Sequence, residues 1–186
     1  AGIIGPHSGF MPLWLYGSQT LLTAPGAKMR ALAASVRAKT RDTLELLHHL
    51  SAMVLTTVRY EIGHTTAATP AEQALAAGHG VCQDHAHVFI GCARMLGIPA
   101  RYVSGYLMMD DRIDQEAGHG WAEAHIDGLG WVGFDISNGI CPDNRYVRVA
   151  TGRDYRDAAP VTGISYGAGE SVLAVSLAVK HQLCQQ

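Results

Sequence analysis

The chain has 186 residues, 48 % of them apolar and 16 % charged, with a formal net charge of −2; this is the balance of one globular domain that buries on the order of 70 % of its unfolded surface. It excludes the strong positive field of a nucleic-acid binder, and no apolar run approaches the ~18 residues of a membrane helix, so neither nucleic acid nor membrane is an expected partner. Four cysteines, Cys82, Cys92, Cys141 and Cys184, show no metal-ligand or disulfide-framework spacing, which points to a reducing, cytoplasmic compartment.

In chain order, residues 1–26 are rich in Gly and Pro and read as an extended lead-in, with Trp14, Leu15 and Tyr16 anchoring it to the body. The start at Ala1, with neither a methionine nor a signal-peptide pattern, reads as a fragment or a processed chain. The core spans 27–180, and 181–186 form a frayed tail. Met29, Leu32, Ala33 and Val36 mark a helical stripe over Lys28 to Lys39. A second helix starts near Thr43 and ends near Tyr60, with Leu44, Leu47, Leu50, Val54 and Val58 inward and His48 and His49 at the surface. Thr69-Pro70-Ala71-Glu72 reads as a capping box before a short helix that Gly78 ends.

Gly80 to Gly97 reads as a helix with Cys82 in its first turn and Ala86, Phe89, Ile90, Ala93 and Leu96 as its buried stripe. Unpaired N–H groups and the positive dipole end favour a thiolate there. The residue is open to two readings at this point, a small buried cysteine or a nucleophile. Asp84, in the same turn, opposes a nearby thiolate and is assigned a structural or substrate-positioning role.

Strands follow. Arg101 to Met108 alternates, with Tyr102, Ser104 and Tyr106 on one face; Asp110 to Gln115 is a charged turn. His119 to Ile126 and Trp131 to Ile136 flank a glycine turn as a hairpin. Parity puts Ala122, Ala124, Ile126, Val132, Phe134 and Ile136 on the core face, and His119, Trp121, Glu123, Trp131 and Asp135 on the other. A turn centred near Asp127-Gly128 sets His119 opposite Asp135 as cross-strand neighbours. Tyr146 to Ala150 is a further strand, and Ser171 to Lys180 reads as a central strand covered on both faces. Helices first and antiparallel strands after predict an α+β fold, the helices packed on one side of the sheet.

The set that follows is Cys82 as nucleophile, His119 as its base and Asp135 orienting the imidazole, with the Cys82 N–H as one oxyanion donor and the second unassigned. No cofactor is required; the expected substrate is the amide carbonyl of a peptide or protein.

Gly80-Val81-Cys82-Gln83-Asp84, Arg101 to Tyr106, His119 to Glu123, Gly130 to Asp135 and Gly152-Arg153-Asp154-Tyr155 together resemble the bacterial transglutaminase-like superfamily, whose members are often named as candidate cysteine proteases. The resemblance covers about residues 18–179. It implies a papain-like, transglutaminase-core fold with a triad mapping onto Cys82, His119 and Asp135, and cysteine-protease, amidohydrolase or acyl-transferase activity. Gly120 stands where an alanine is more usual, and Ile136-Ser137-Asn138 where Pro-Thr-Asn is, changes that bear on loop rigidity near Asp135. Similar bacterial proteins carry a β-rich region before this core, which implies that this chain lacks an upstream part.

Two other classes remain open: a catalytically silent interaction domain of this fold, and a metal-binding protein using Cys82, His85, His87 and His79. On a helix His85 and His87 project about 200° apart, so only Cys82 and His85 share a face. His7, His64, His79, His125 and His181 are otherwise read as surface or packing residues, and Cys92, about 15 Å along the helix from Cys82, as core.

Overall fold

The computed structural model describes residues 2–6, 11–108 and 118–161, together with the backbone of 114–115 and 177–178. In chain order the elements are strand β1 (Ile3–Gly5), a 3-10 turn (Leu13–Gly17), helices α1 (Ala27–Arg37) and α2 (Thr43–Thr57), strand β2 (Arg59–Tyr60), helix α3 (Ala71–Ala77), strand β3 (His79–Gly80), helix α4 (Cys82–Met95), and strands β4 (Ala100–Leu107), β5 (Asp114–Gln115), β6 (His119–Ile126), β7 (Gly130–Phe134), β8 (Tyr146–Gly152) and β9 (Leu177–Ala178). The main sheet runs β1-β7-β6-β4-β8, with every neighbour antiparallel. Its curved face packs against the N-terminal helices, the α+β architecture expected from the element order.

The two first helices follow their apolar spacing. Met29 and Val36 of α1 and Leu46, Leu47, Leu50 and Val54 of α2 are fully buried. Asp42 caps α2 by accepting the Glu45 N–H at 2.8 Å. The helix ends at Thr57, short of Tyr60, because the chain turns extended to pair β2 in parallel with β3.

The expected capping box at Thr69 does not form. Pro70 is the N-cap and no side chain caps the α3 terminus. Glu72 turns instead to the start of α1, where its carboxylate accepts the N–H groups of Gly26, Lys28 and Met29 at 2.8–3.0 Å. Three unpaired donors at one helix end outbid the single N–H that a capping box would satisfy.

Helix α4 is buried on every side, well beyond its predicted stripe, and Asp84, His85, His87 and Arg94 all lie inside. The Arg94 guanidinium donates to the carbonyls of Tyr16, Ala100 and Arg153 and to the Thr23 hydroxyl at 2.6–3.2 Å. One side chain thereby joins the lead-in, β4 and the segment after β8 to the end of α4.

The β6–β7 register differs from the expected one. Ala122 pairs with Phe134 and Ile126 with Gly130, so partner numbers sum to 256 rather than 254. The turn takes in Leu129 as well as Asp127 and Gly128, with Gly128 and Gly130 at positive φ. A two-residue shift preserves parity, so the face assignments hold. The second face is also covered: Trp121, Glu123 and Trp131 are 0–2 % exposed. Tyr16 packs edge-on against Trp131, and Arg101 lies 3.9 Å over the same ring while pairing with Glu123 at 2.6 Å.

Tyr16 is the anchor of the lead-in, whereas Trp14 is 72 % exposed. Of the predicted terminal strand only Leu177–Ala178 is described; it pairs with Asp114–Gln115 in a separate two-stranded sheet and not centrally. The remainder of that strand, the tail, His7, His181, Cys184 and most of the 110–115 turn lie outside the described residues.

Glu72→Ala should cost about 1–2 kcal/mol in urea unfolding, the scale of a lost helix cap, and Glu72→Gln, which keeps one acceptor oxygen and turns the other into an amide donor, should recover only part of that.

Candidate active site

Val81 is extended as the N-cap of α4, and Cys82 follows as its first residue. Asp84 folds back over this turn, its Oδ2 accepting the Val81 N–H at 2.8 Å and the Thr65 hydroxyl at 2.7 Å. Its role here is structural: it fixes the geometry of the turn that presents the thiol, and Cys82 stays half-buried on the cleft wall.

His119 opens β6 and Asp135 follows the last residue of β7. In the observed register the residue opposite Asp135 would be Trp121, so His119 is a diagonal neighbour one pleat away. The carboxylate still reaches it: His119 Nε2 and Asp135 Oδ2 are 2.6 Å apart. Cys82 lines the same cleft beside this imidazole and acts on its charge. Since Nε2–H is committed to the carboxylate, Nδ1 is the nitrogen left for the thiol. The three residues singled out in the sequence thus come together in one chain of contacts.

Asp135 is fully buried and held by partners that sequence reasoning did not assign. The Tyr146 hydroxyl and the Asn138 amide donate to Oδ2, each at 2.7 Å, and the Asn138 N–H to Oδ1 at 3.3 Å. A bridge between Asp135 and Ile140 closes the turn that carries Asn138. The alternation of Tyr146 in its strand was legible; its reach across the sheet was not.

Electrostatics follow from these contacts. Burial pushes the His119 pKa down, but the hydrogen bond and charge of Asp135 and the interaction with Cys82 outweigh it and raise the value to about 10. Burial likewise works to raise the Asp135 pKa, while its bonds to His119, Tyr146 and Asn138 hold it below the ordinary carboxylate range. The folded His119 value lies above its unfolded value of about 6.5. The stability it contributes is therefore complete below pH ~6.5 and is lost as pH rises through about 10.

A cleft of about 430 Å³ opens over Cys82 and His119, walled by Tyr60, Ile62, Tyr102 and Tyr155 among others. Tyr102 is buried, and its phenol is pushed well above the ordinary range, first by burial and then by charge at Cys82. Its hydroxyl occupies the space that a Cβ on Gly120 would need. That contact, rather than loop rigidity near Asp135, is what glycine in place of alanine permits.

His85 and His87 do not converge on Cys82. The Val58 carbonyl accepts from His85 Nε2–H, which leaves Nδ1 to accept from the Ser137 hydroxyl, both at 2.8 Å. His87 Nε2 accepts the Tyr155 N–H at 3.1 Å, and burial lowers its pKa to about 4. Both rings are neutral structural groups, which removes the metal site expected from Cys82, His85 and His87.

The transglutaminase-like superfamily matches residues 30–136. The chain belongs to this superfamily. Its relatives include an uncharacterised protein of Mycobacterium tuberculosis, 39 % identical over 162 residues, covering 81 % of this chain and 52 % of the relative. A second, from Mycobacterium leprae, is 40 % identical over 101 residues, covering 52 % of this chain and 36 % of the relative. The chain therefore spans about half the length, or less, of the curated relatives it matches. Among solved structures, a candidate cysteine protease from Cytophaga hutchinsonii superposes with a TM-score of 0.73 at 26 % identity, over 92 % of this chain and 57 % of that one. The periplasmic domain of TgpA from Pseudomonas aeruginosa shares the fold, with a TM-score of 0.52 at 22 % identity over 68 % of this chain and 47 % of that domain. Among the described residues of the transglutaminase-like chain no helix is long and apolar enough to cross a membrane.

In a histidine NMR titration the His119 imidazole should remain protonated past pH 8 and His87 neutral down to about pH 4. Asp135→Asn should bring the His119 transition down towards ~6.5; an unmoved transition would show that the carboxylate does not hold the proton.

Proposed function

We propose that the protein is a cysteine-nucleophile amide or peptide hydrolase acting through a thioester, with Cys82, His119 and Asp135 as a papain-like triad. The observation that carries this reading is the continuous contact chain from Cys82 through His119 to a fourfold-held Asp135, at the floor of an open cleft. The cleft's openness favours it over a catalytically silent domain, which would have no use for an accessible thiol.

In the proposed cycle the Cys82 sulfur attacks the carbonyl carbon as a thiolate paired with the His119 imidazolium. The Cys82 N–H at the start of α4 and the Tyr102 hydroxyl serve as donors to the oxyanion. The imidazolium gives its proton to the departing amine as the C–N bond breaks, leaving a thioester and a neutral imidazole. Water then attacks, His119 takes its proton, and collapse releases the acid and restores the ion pair. An amine in place of water would give acyl transfer by the same steps. Asp135 keeps Nε2 protonated and Nδ1 turned to the sulfur throughout.

The cleft walls, largely aromatic and aliphatic, suit a peptide with an apolar side chain beside the scissile amide. The described cysteines, Cys82, Cys92 and Cys141, are free thiols, which supports the cytoplasm as the location.

A glutamine-containing peptide library incubated with a labelled amine and read by mass separates cleavage, deamidation and cross-linking; cleavage is the expected product. Cys82→Ala should abolish turnover, His119→Ala should lower it by at least ~10²-fold, and Tyr102→Phe by about 10²–10³-fold in kcat. Iodoacetamide labelling of Cys82 followed against pH should change its profile and slow at neutral pH in His119→Ala, which lacks the cation that pairs with the thiolate. Identical profiles in the two proteins would falsify the ion pair.

A further inference from the structure

Outside the cleft, Glu61, His64 and His79 bring three ligand atoms within 4.8 Å of one another, the one such cluster among the described residues. His64 Nε2 and His79 Nδ1 lie 3.5 and 3.8 Å from the same carboxylate oxygen, Glu61 Oε2. Two ligands at Zn–N and Zn–O bond lengths of ~2.0–2.1 Å on a tetrahedral ion sit about 3.3 Å apart, close to both distances from Glu61 Oε2, so metal binding would draw the two imidazoles inward around that oxygen.

The backbone builds this arrangement. Strands β2 and β3 pair Arg59 with His79 and Tyr60 with Gly80, and the Glu61 N–H continues the ladder to the Gly80 carbonyl. Parity puts Arg59, Glu61 and His79 on one face and Tyr60 and Gly80 on the other. Gly63, at φ +90°, turns the chain back, and the His64 ring comes to lie 4.2 Å from that of His79. Arg59 approaches the other carboxylate oxygen, Oε1, at 3.5 Å and so orients the carboxylate, leaving Oε2 to face the two imidazoles.

We propose that Glu61, His64 and His79 form a reversible binding site for a late first-row divalent ion of the Zn²⁺ class. Two imidazoles and one carboxylate are a borderline nitrogen-and-oxygen donor set, unlike the all-oxygen shells of Ca²⁺ or Mg²⁺. The ligands are partly exposed, with side-chain exposures of 26–50 %, so water completes the shell and the ion exchanges with solvent. Tyr60 and Ile62 line the cleft, while Glu61 between them points the opposite way. The ion therefore sits behind the cleft wall as a clip. It ties the Glu61–His64 turn to the strand that leads through Gly80 and Val81 into Cys82.

The test is titration of chelator-treated full chain with Zn²⁺ by calorimetry and with Co²⁺ by absorption, in wild type, His64→Ala, His79→Ala and Cys82→Ala. Expected are one equivalent bound, cobalt d–d bands without a sulfur-to-metal charge-transfer band, and a Tm that rises with Zn²⁺ concentration. Each histidine variant should weaken binding by at least the ~10–100-fold typical of losing a mere second-shell partner, and Cys82→Ala should bind as wild type does. No binding at millimolar Zn²⁺, binding unaltered in both histidine variants, or binding that carries the sulfur band and vanishes in Cys82→Ala would each overturn the site. The last outcome would place the ion on the thiol and imidazole of the cleft.

Discussion

The burial of helix α4 on all sides is the constraint from which the rest of the structure follows. A helix enclosed by other helices, a sheet and loops cannot leave polar side chains to water, and each unpaired one is costly in a low-dielectric interior. Asp84, His85, His87 and Arg94 therefore reach outward to the Thr65 hydroxyl, the Val58 carbonyl, the Tyr155 N–H and the carbonyls of Tyr16, Ala100 and Arg153. Those bonds hold the loops that surround the helix.

The same burial decides where the chemistry sits. Only the first turn of α4 meets the cleft, and there Cys82 faces a histidine from the sheet. The imidazole is held from behind by a carboxylate that is itself fastened by Tyr146, Asn138 and the Asp135–Ile140 bridge. Asp135 lies just beyond the end of β7, so these fasteners, more than the main ladder, fix where its carboxylate points. Helix and sheet thus contribute one rigid element each to the site, and the second face of the sheet is kept rigid by the buried Arg101–Glu123 pair under Trp131.

How much was legible in the sequence varies with the range of the interaction. The helical stripes of α1 and α2, the position of Cys82 in the first turn, the hairpin and the common face of His119 and Asp135 all follow from local periodicity. The register did not: a pairing displaced by two residues changed which residues stand opposite, and the histidine–aspartate contact survived because a shift of two keeps parity. Glu72 carried a correct local signal, an acid three residues after a threonine, yet its carboxylate serves a different helix. The histidines of α4 were open to a metal-binding reading because nothing local announces the Val58 carbonyl, the Ser137 hydroxyl and the Tyr155 N–H that engage them.

Local spacing, turn chemistry and parity by themselves determined the α+β class, the elements that carry Cys82, His119 and Asp135, and the face they share, because these depend on backbone periods of 3.6 and 2 residues. Only the tertiary structure decided that Tyr146 and Asn138 secure Asp135, that Tyr102 presses its hydroxyl against Gly120, and that His64 and His79 meet at Glu61. Each of these is a contact between side chains from separate segments, set by how the pieces pack, and no period in the chain encodes it.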